Sequence, residues 1–160
     1  MKAATINELK QELEHLSATQ LKELCLRLAK FKKENKELLT YLLFEAHDTE
    51  AYSRSVKEEM DEYFPDVNTK QVYLAKKTLR KILRTVDKYS RYAALPEVEA
   101  GLRIHFCREM RGLGLPIGKN PVLLNMYQNQ LKKIDKAVAA LHEDLQYDLL
   151  KEVSALPLNN

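Results

Sequence analysis

Residues 71–93 read QVYLAKKTLRKILRTVDKYSRYA, and this stretch decides the fold class. Its apolar residues recur at alternating spacings of three and four, which is the period of one face of an α-helix. Its basic residues follow the same rhythm two positions out of phase, or about 200° around the helix. The stretch therefore predicts a helix that packs along one side and is cationic along the other. The apolar row is Val72, Ala75, Leu79, Ile82, Val86, Tyr89 and Ala93, and the basic row is Lys70, Lys77, Lys81, Arg84, Lys88 and Arg91.

The length and composition indicate one globular, mainly helical domain. The chain has 160 residues, which is within the usual size of a domain, and it contains only four Gly and five Pro. We therefore predict a single all-helical domain over residues 1–160, with a possible subdivision near 65–68 and a loop at 112–120. The net charge of +3 is too small to require a nucleic-acid partner.

The distribution of apolar residues and cysteines indicates a cytoplasmic protein. The first twenty residues alternate charged and apolar side chains, unlike a secretory signal. The longest apolar run, residues 38–44, contains seven residues, whereas a membrane span needs about 20. Cys25 and Cys107 both lie among apolar neighbours in predicted helices, so we expect two buried free thiols.

Capping signals place the other helix boundaries. Thr5 and Ser17 each precede a Glu or Gln by three residues, which is the spacing of a capping box. The polar run around Asn35 predicts a break or kink in the helix that follows Ser17. Further helix starts are marked by Asp48, by Asn68 or Thr69, by Pro96, and by Asn120 with Pro121.

The helices are expected to form a single all-α assembly. No segment of useful length alternates with period two, so we predict no sheet. Residues 121–153 carry one apolar stripe, which predicts a helix of roughly 30 residues and about 45 Å, with room for a bend near residues 141–144. The sequence therefore predicts six or seven mostly antiparallel helices, in one bundle or in a short α–α superhelical stack.

Four short motifs carry a resemblance to a known family. They are Leu16-Ser17, Leu21-Lys-Glu-Leu24, Tyr63-Phe64-Pro65 and Pro96-Glu-Val-Glu-Ala100. In these motifs the chain resembles an uncharacterised all-helical bacterial protein family, and the likeness extends over most of the chain. The resemblance implies an all-helical fold and no assigned activity. The loop at residues 112–121 departs from that family's pattern.

Charge is divided between two neighbouring segments. Residues 45–66 contain eight acids and two bases, whereas residues 69–111 contain eleven bases and four acids. The basic row of the 70–93 helix is able to bind phosphates, and each neutralised phosphate would add to a salt-dependent affinity. The alternatives are a solvated face, or a face that the neighbouring acidic helix partly neutralises, and the opposite charges of the adjacent segments favour the second of these. The candidate polyanion-binding residues are Lys77, Lys81, Arg84, Lys88 and Arg91.

The remaining motifs do not predict a cofactor or metal site. Residues 114–119, GLPIGK, have three residues between the glycines where a P-loop has four, which leaves at most a weak anion site near Lys119. Glu12 and His15 have the Glu-x-x-His spacing of di-iron helices, but the chain has no second copy of the motif. His105 and Cys107 are two positions apart and therefore point away from each other on a helix. We expect no catalytic, cofactor-binding or metal-ligating residues.

The sequence therefore favours an interaction protein over an enzyme. The leading hypothesis is a non-catalytic helical module that binds a protein partner or associates with itself. The first alternative is polyanion or nucleic-acid binding through the basic face of the 70–93 helix. The second is an enzyme whose site is assembled from distant residues such as Cys25, His105 or Tyr127.

Overall fold

The computed structural model describes residues 1–158, and these contain eight α-helices and no β-strand. A π-helical turn at Tyr41–Glu45 and two 3-10 turns, Phe64–Asp66 and Ile117–Lys119, lie between the helices. The predicted all-helical class is therefore confirmed. The helices are α1 (Ile6–Glu14), α2 (Ala18–Phe31), α3 (Lys33–Thr40), α4 (Thr49–Asp61), α5 (Val72–Ala93), α6 (Pro96–Gly112), α7 (Pro121–Ala139) and α8 (Glu143–Ser154).

The predicted number of helices, six or seven, is wrong because the C-terminal apolar stripe forms two helices. The backbone is extended at His142, the residue that precedes α8 (φ −65°, ψ 151°). The Gln146 side-chain amide donates a hydrogen bond to the Leu141 carbonyl at this break (2.8 Å). Two acids occupy the first turn of α8, where the helix dipole favours negative charge. The apolar spacing continues through the break, so periodicity alone could not reveal it.

The predicted helix caps are present, except that α5 begins later than expected. Asn68 Oδ1 accepts hydrogen bonds from the amides of Lys70 and Gln71 (3.0 and 2.9 Å), and the helix begins at Val72. Asn68 therefore forms a turn before the helix rather than its cap. The confirmed caps are Thr5, Ser17, Asp48 and Asn120, and Pro96 and Pro121 occupy first turns as predicted.

Residue contacts divide the chain into an N-terminal unit, residues 1–44, and a C-terminal unit that begins at Glu45. The suggested subdivision near 65–68 lies inside the C-terminal unit, where Phe64 and Val67 are buried. The Phe64 ring also packs near the ring of Phe106, with 6.0 Å between their centres. That residues 1–160 form a single domain stays a prediction.

Helix α6 lies at the centre of the C-terminal unit, where it packs against α4, α5, α7 and α8. Its side chains are buried on most sides, as expected for a central helix. The predicted apolar row of α5 faces inward, and the predicted basic row faces solvent. The fully buried side chains of this core include Met60, Leu79, Ile82, Val86, Leu102, Phe106, Met110, Leu123, Tyr127 and Ile134.

Candidate interaction surfaces

Helix α1 has an apolar face that its own unit covers only in part, where Leu21 of α2 lines a pocket together with that face. A capping box at Thr5 starts the helix, and every one of its nine residues is exposed. Ile6, Leu9 and Leu13 follow one another at spacings of three and four, so they share one face. Isolated helices shorter than about 12–15 residues are marginal in water, so α1 needs a packing partner to remain helical.

Helices α2 and α3 form a hairpin that is broken where the sequence predicted. The break is at Lys32, which has extended backbone (φ −141°, ψ 147°) between the two helices. The Asn35 side chain donates a hydrogen bond from Nδ2 to the Leu28 carbonyl, at 2.8 Å. This bond satisfies one carbonyl at the end of α2, and it explains why a polar residue occupies the next apolar position.

A groove of about 570 Å³ lies on this hairpin. Apolar side chains line it, among them Leu26, Leu39 and Phe44. Four lysines line it as well, and no carboxylate is among its lining residues. The groove therefore combines apolar lining residues with four cations. The lysines are Lys30, Lys32, Lys33 and Lys36, of which Lys33 is 3.6 Å from Glu37.

The predicted apolar stripe of α2 does not form a core. Leu24, Leu28 and Phe31 are exposed, and Leu21 is half-buried. Within residues 1–44, Tyr41 is the one buried side chain. The N-terminal unit consequently presents most of its large apolar side chains to solvent, which the sequence pattern did not predict.

The basic face of α5 is exposed as predicted. Lys77, Lys81, Arg84 and Arg91 are exposed, and Lys88 is half-buried. Among residues 1–158, none of those four exposed cations forms an ion pair. The Lys81 and Lys88 amino groups lie over aromatic rings, 4.2 and 4.3 Å from the ring centres.

The acidic helix α4 packs against α5, and among residues 1–158 it forms no ion pair with the four exposed cations. Glu59 accepts a hydrogen bond from the Tyr89 hydroxyl (2.7 Å), and Asp61 lies 2.6 Å from His105 Nε2 on α6. The Tyr52 hydroxyl of α4 donates to the Tyr89 carbonyl (3.0 Å). Two acids of α4, Glu59 and Asp61, thus contact side chains of α5 and α6, and partial neutralisation of the basic face stays a prediction.

Arg103 lies in a buried polar network that the sequence analysis missed. Its guanidinium donates to Glu99 (2.9 Å), to Asp87 on α5 (2.7 Å) and to Gln130 on α7 (2.7 Å). Lys133 also lies 3.4 Å from the Asp87 carboxylate. Arg103 therefore joins three helices and does not belong to the cationic surface. The i, i+4 spacing of Glu99 and Arg103 is the sequence signal that could have indicated the pair.

The two cysteines differ in exposure, and the expectation of two buried thiols is wrong for one of them. Cys25 is exposed on α2, whereas Cys107 is fully buried on α6. Burial raises the pKa of the Cys107 thiol to about 12, and the positive charge of Arg103 lowers it by a smaller amount. Because the thiolate is the reactive form, Cys107 is inert at neutral pH.

The raised pKa of Cys107 predicts that the protein loses stability in alkali. The thiol has an ordinary pKa near 9 when unfolded and about 12 when folded. Above pH 9 the unfolded chain releases this proton and the native chain keeps it, so the free energy of unfolding falls as pH rises. We expect a loss of about 1 kcal/mol between pH 8 and pH 10 from this group. Urea unfolding at several pH values measures this loss in the free energy of unfolding.

The matched variants for this test are Cys107→Ala and Cys25→Ala. Cys107→Ala should be less stable at pH 8, because it leaves a small cavity, but its stability should decline less with pH. Cys25→Ala should keep the decline of the native chain. Equal pH dependence in all three proteins would show that Cys107 does not carry the effect.

A cleft of about 780 Å³ lies beside the predicted loop at residues 112–120. Arg111 and Lys119 are its cations, and most of its other lining residues are apolar. Arg111 donates a hydrogen bond to the Ala155 carbonyl, and the Tyr127 hydroxyl donates to the Leu156 carbonyl (2.6 Å). Burial raises the pKa of Tyr127 to about 12, so its hydroxyl stays a donor. These two bonds attach the segment after α8 to α6 and α7, while an anion site near Lys119 stays a prediction.

The residues considered for catalysis and metal binding do not form a recognisable site. His105 is held by Asp61 and does not line the cleft that Tyr127 lines. In the part of the chain that the structure describes, no three His, Cys, Asp or Glu side chains are grouped as metal ligands. Of the described helices, none is long and apolar enough to cross a membrane.

Comparisons with known proteins found no family model, no curated protein and no solved structure that matches the chain. The resemblance to an uncharacterised all-helical bacterial family therefore stays a prediction, as does the cytoplasmic location.

Proposed function

We propose that this chain is a helical interaction module that associates with a second copy of itself through the apolar surface of its N-terminal unit. The observation that carries the proposal is that residues 1–44 bury Tyr41 alone while most of their large apolar side chains are exposed. Apolar patches of this kind on a folded chain mark interaction sites. The exposed residues are Ile6, Leu9, Leu13, Leu24, Leu26, Leu28, Phe31, Leu42, Leu43 and Phe44.

The charges of the same unit favour a second copy as the partner. Helix α1 carries three acids and one base, whereas the groove on the α2–α3 hairpin is lined by four lysines and no acid. Each copy therefore offers both members of a complementary pair, and complementary charge steers association and fixes its register. A foreign protein would have to supply both features independently.

The proposal predicts that native mass depends on apolar residues of the N-terminal unit. Sedimentation velocity over a concentration series should show a dimer for the native chain. The double variant Leu9→Glu/Phe44→Glu replaces side chains that are 47% and 68% exposed, so it should not disturb a core. Its dimer dissociation constant should rise at least about tenfold, because burying one such side chain contributes roughly 1.5–3 kcal/mol.

The matched control is Leu145→Glu/Leu150→Glu on α8, where the side chains are 48% and 51% exposed. This variant should dimerise like the native chain. A native chain that stays monomeric at every concentration overturns the proposal. Equal weakening by both double variants would place the interface outside the N-terminal unit and overturn it as well.

A second candidate function is polyanion binding through the basic face of α5. The observation that favours it is that Lys77, Lys81, Arg84 and Arg91 form no ion pair among residues 1–158. Their charge is thus available to phosphates, whose binding releases condensed counterions.

A DNA duplex is the probe for this second candidate. The logarithm of its binding constant should fall linearly with the logarithm of salt concentration, and Lys77→Gln/Lys81→Gln/Arg84→Gln should reduce that slope by about 3. The control removes three exposed charges elsewhere, as Lys2→Gln/Lys10→Gln/Lys22→Gln. Absence of binding at about 50 mM salt, or a binding constant that does not change with salt concentration, would rule this function out.

A further inference from the structure

We infer that two copies of the chain exchange their α1 helices, so that α1 of each copy lies in the groove on the α2–α3 hairpin of the other. This inference rests on the proposed self-association and specifies its geometry. It assigns a ligand, α1, and a receptor, the groove, to one interface that occurs twice in the dimer.

Helix α1 has the properties of a groove ligand. It is a continuous helix of nine residues, about 13 Å long, with one exposed apolar face. Amphipathic helices bind apolar grooves through such a face, with anchors at spacings of three and four. Its charged residues are mainly acidic, namely Glu8, Glu12 and Glu14 against Lys10.

The groove has the complementary properties. Leu26 and Leu39 are among its apolar lining residues, and four lysines line it as well. Its lining residues come from α2, α3, their junction and the following π-helical turn, and none comes from α1. Within one copy α1 therefore leaves the groove open, and its own apolar face is exposed at the same time.

Reciprocal exchange covers both the apolar face of α1 and the groove on the α2–α3 hairpin in each copy, through one symmetry operation. A twofold axis places α1 of the first copy in the second groove and α1 of the second copy in the first groove. The dimer is closed, because no free α1 and no empty groove remain to recruit a third copy. Each of the two contacts brings acids of α1 beside lysines of the groove.

Charge reversal on either side of the contact tests the exchange. Variant A is Glu12→Lys/Glu14→Lys, which makes α1 basic and leaves the Thr5 capping box intact. Variant B is Lys30→Glu/Lys32→Glu/Lys36→Glu, which leaves Lys33 as the one lysine among the residues that line the groove and so makes the groove acidic. In each variant alone both contacts join like charges, so the dimer dissociation constant should rise about tenfold or more.

Mixing the two variants is the decisive measurement. In an A–B heterodimer, the basic α1 of A meets the acidic groove of B, and the acidic α1 of B meets the basic groove of A. Both contacts become favourable, so the mixture should form heterodimers with a dissociation constant within about threefold of the native value. Lys132→Glu/Lys136→Glu, which reverses two exposed lysines on α7, should dimerise normally and should not pair preferentially with A.

The possible failures are distinguishable. Native dimers that neither A nor B weakens, or A and B variants that mixing does not rescue, overturn the α1 exchange and leave self-association standing. A monomeric native chain overturns the proposed function together with the exchange. Far-ultraviolet circular dichroism of each variant shows whether its helices are retained.

Discussion

Leu79→Ala should lower the free energy of unfolding by about 3 kcal/mol. Leu79 is 0% exposed on the inner face of α5, which packs against α4 and α6. Truncation removes three carbon atoms from a close-packed interior, so the lost transfer free energy and the residual cavity both destabilise the native state. Guanidinium unfolding followed by circular dichroism at 222 nm measures the change.

Leu74 supplies the matched control, because it is on the same helix and is 39% exposed. Leu74→Ala should change stability by less than about 0.5 kcal/mol, since Ala also has the higher helix propensity. Comparable losses for the two variants would contradict the assignment of an inner and an outer face to α5.

Arg103→Met should lower the free energy of unfolding by about 2 kcal/mol. Arg103 is 3% exposed, and its guanidinium connects Asp87, Glu99 and Gln130 on three helices. The variant leaves the buried Gln130 oxygen without its hydrogen-bond donor, and an unsatisfied buried acceptor destabilises the native state. The two carboxylates are partly exposed and can regain water, so the loss should be smaller than for a fully buried ion pair.

Two comparisons separate the network from simple loss of volume. Lys133→Met removes the exposed cation near Asp87 and should cost less than about 0.5 kcal/mol. Arg103→Met/Gln130→Leu should cost less than the sum of its two single variants, because it removes both partners of the buried hydrogen bond. Strict additivity would mean that the Arg103–Gln130 contact contributes nothing. The same unfolding assay serves for all four proteins.

Helix boundaries with a local chemical signal could be predicted from the sequence. Thr5 and Ser17 cap their helices because a hydroxyl and a side chain three residues later satisfy free amides within one turn. Asn120 does the same before Pro121. The two opposed faces of α5 were also predictable, since its apolar residues keep one helical period over more than five turns and its basic residues follow the same period on the other side.

The division of the C-terminal stripe into α7 and α8 was not predictable from spacing. The interruption near Leu141 is stabilised by a side-chain hydrogen bond from Gln146, and the apolar pattern runs across it. The segment after α8 is in turn held by Tyr127 and Arg111, which come from two earlier helices. These contacts depend on the arrangement of helices, so no single window of sequence contains them.

The candidate site illustrates the same limit. The exposure of Lys77, Lys81, Arg84 and Arg91 was predicted correctly. Because the opposite face of the helix is buried, the basic face is directed toward solvent. Cys25 and the apolar stripe of α2 were assigned to a core, yet they are exposed. Three-and-four spacing shows that a face is apolar, and it does not show whether the same chain covers that face.

Sequence alone was enough for the helical class, the helix starts that carry a side-chain cap and the two opposed faces of α5, because these depend on hydrogen bonds and periodicity within a few turns. Only the packing of the helices settled which apolar faces are buried, how Arg103 is neutralised and that the C-terminal stripe forms two helices rather than one bent helix. Those outcomes depend on which helices pack together, because an apolar face is buried only when a second surface covers it. The exposed face of α1 and the lysine-lined groove therefore became visible only in three dimensions.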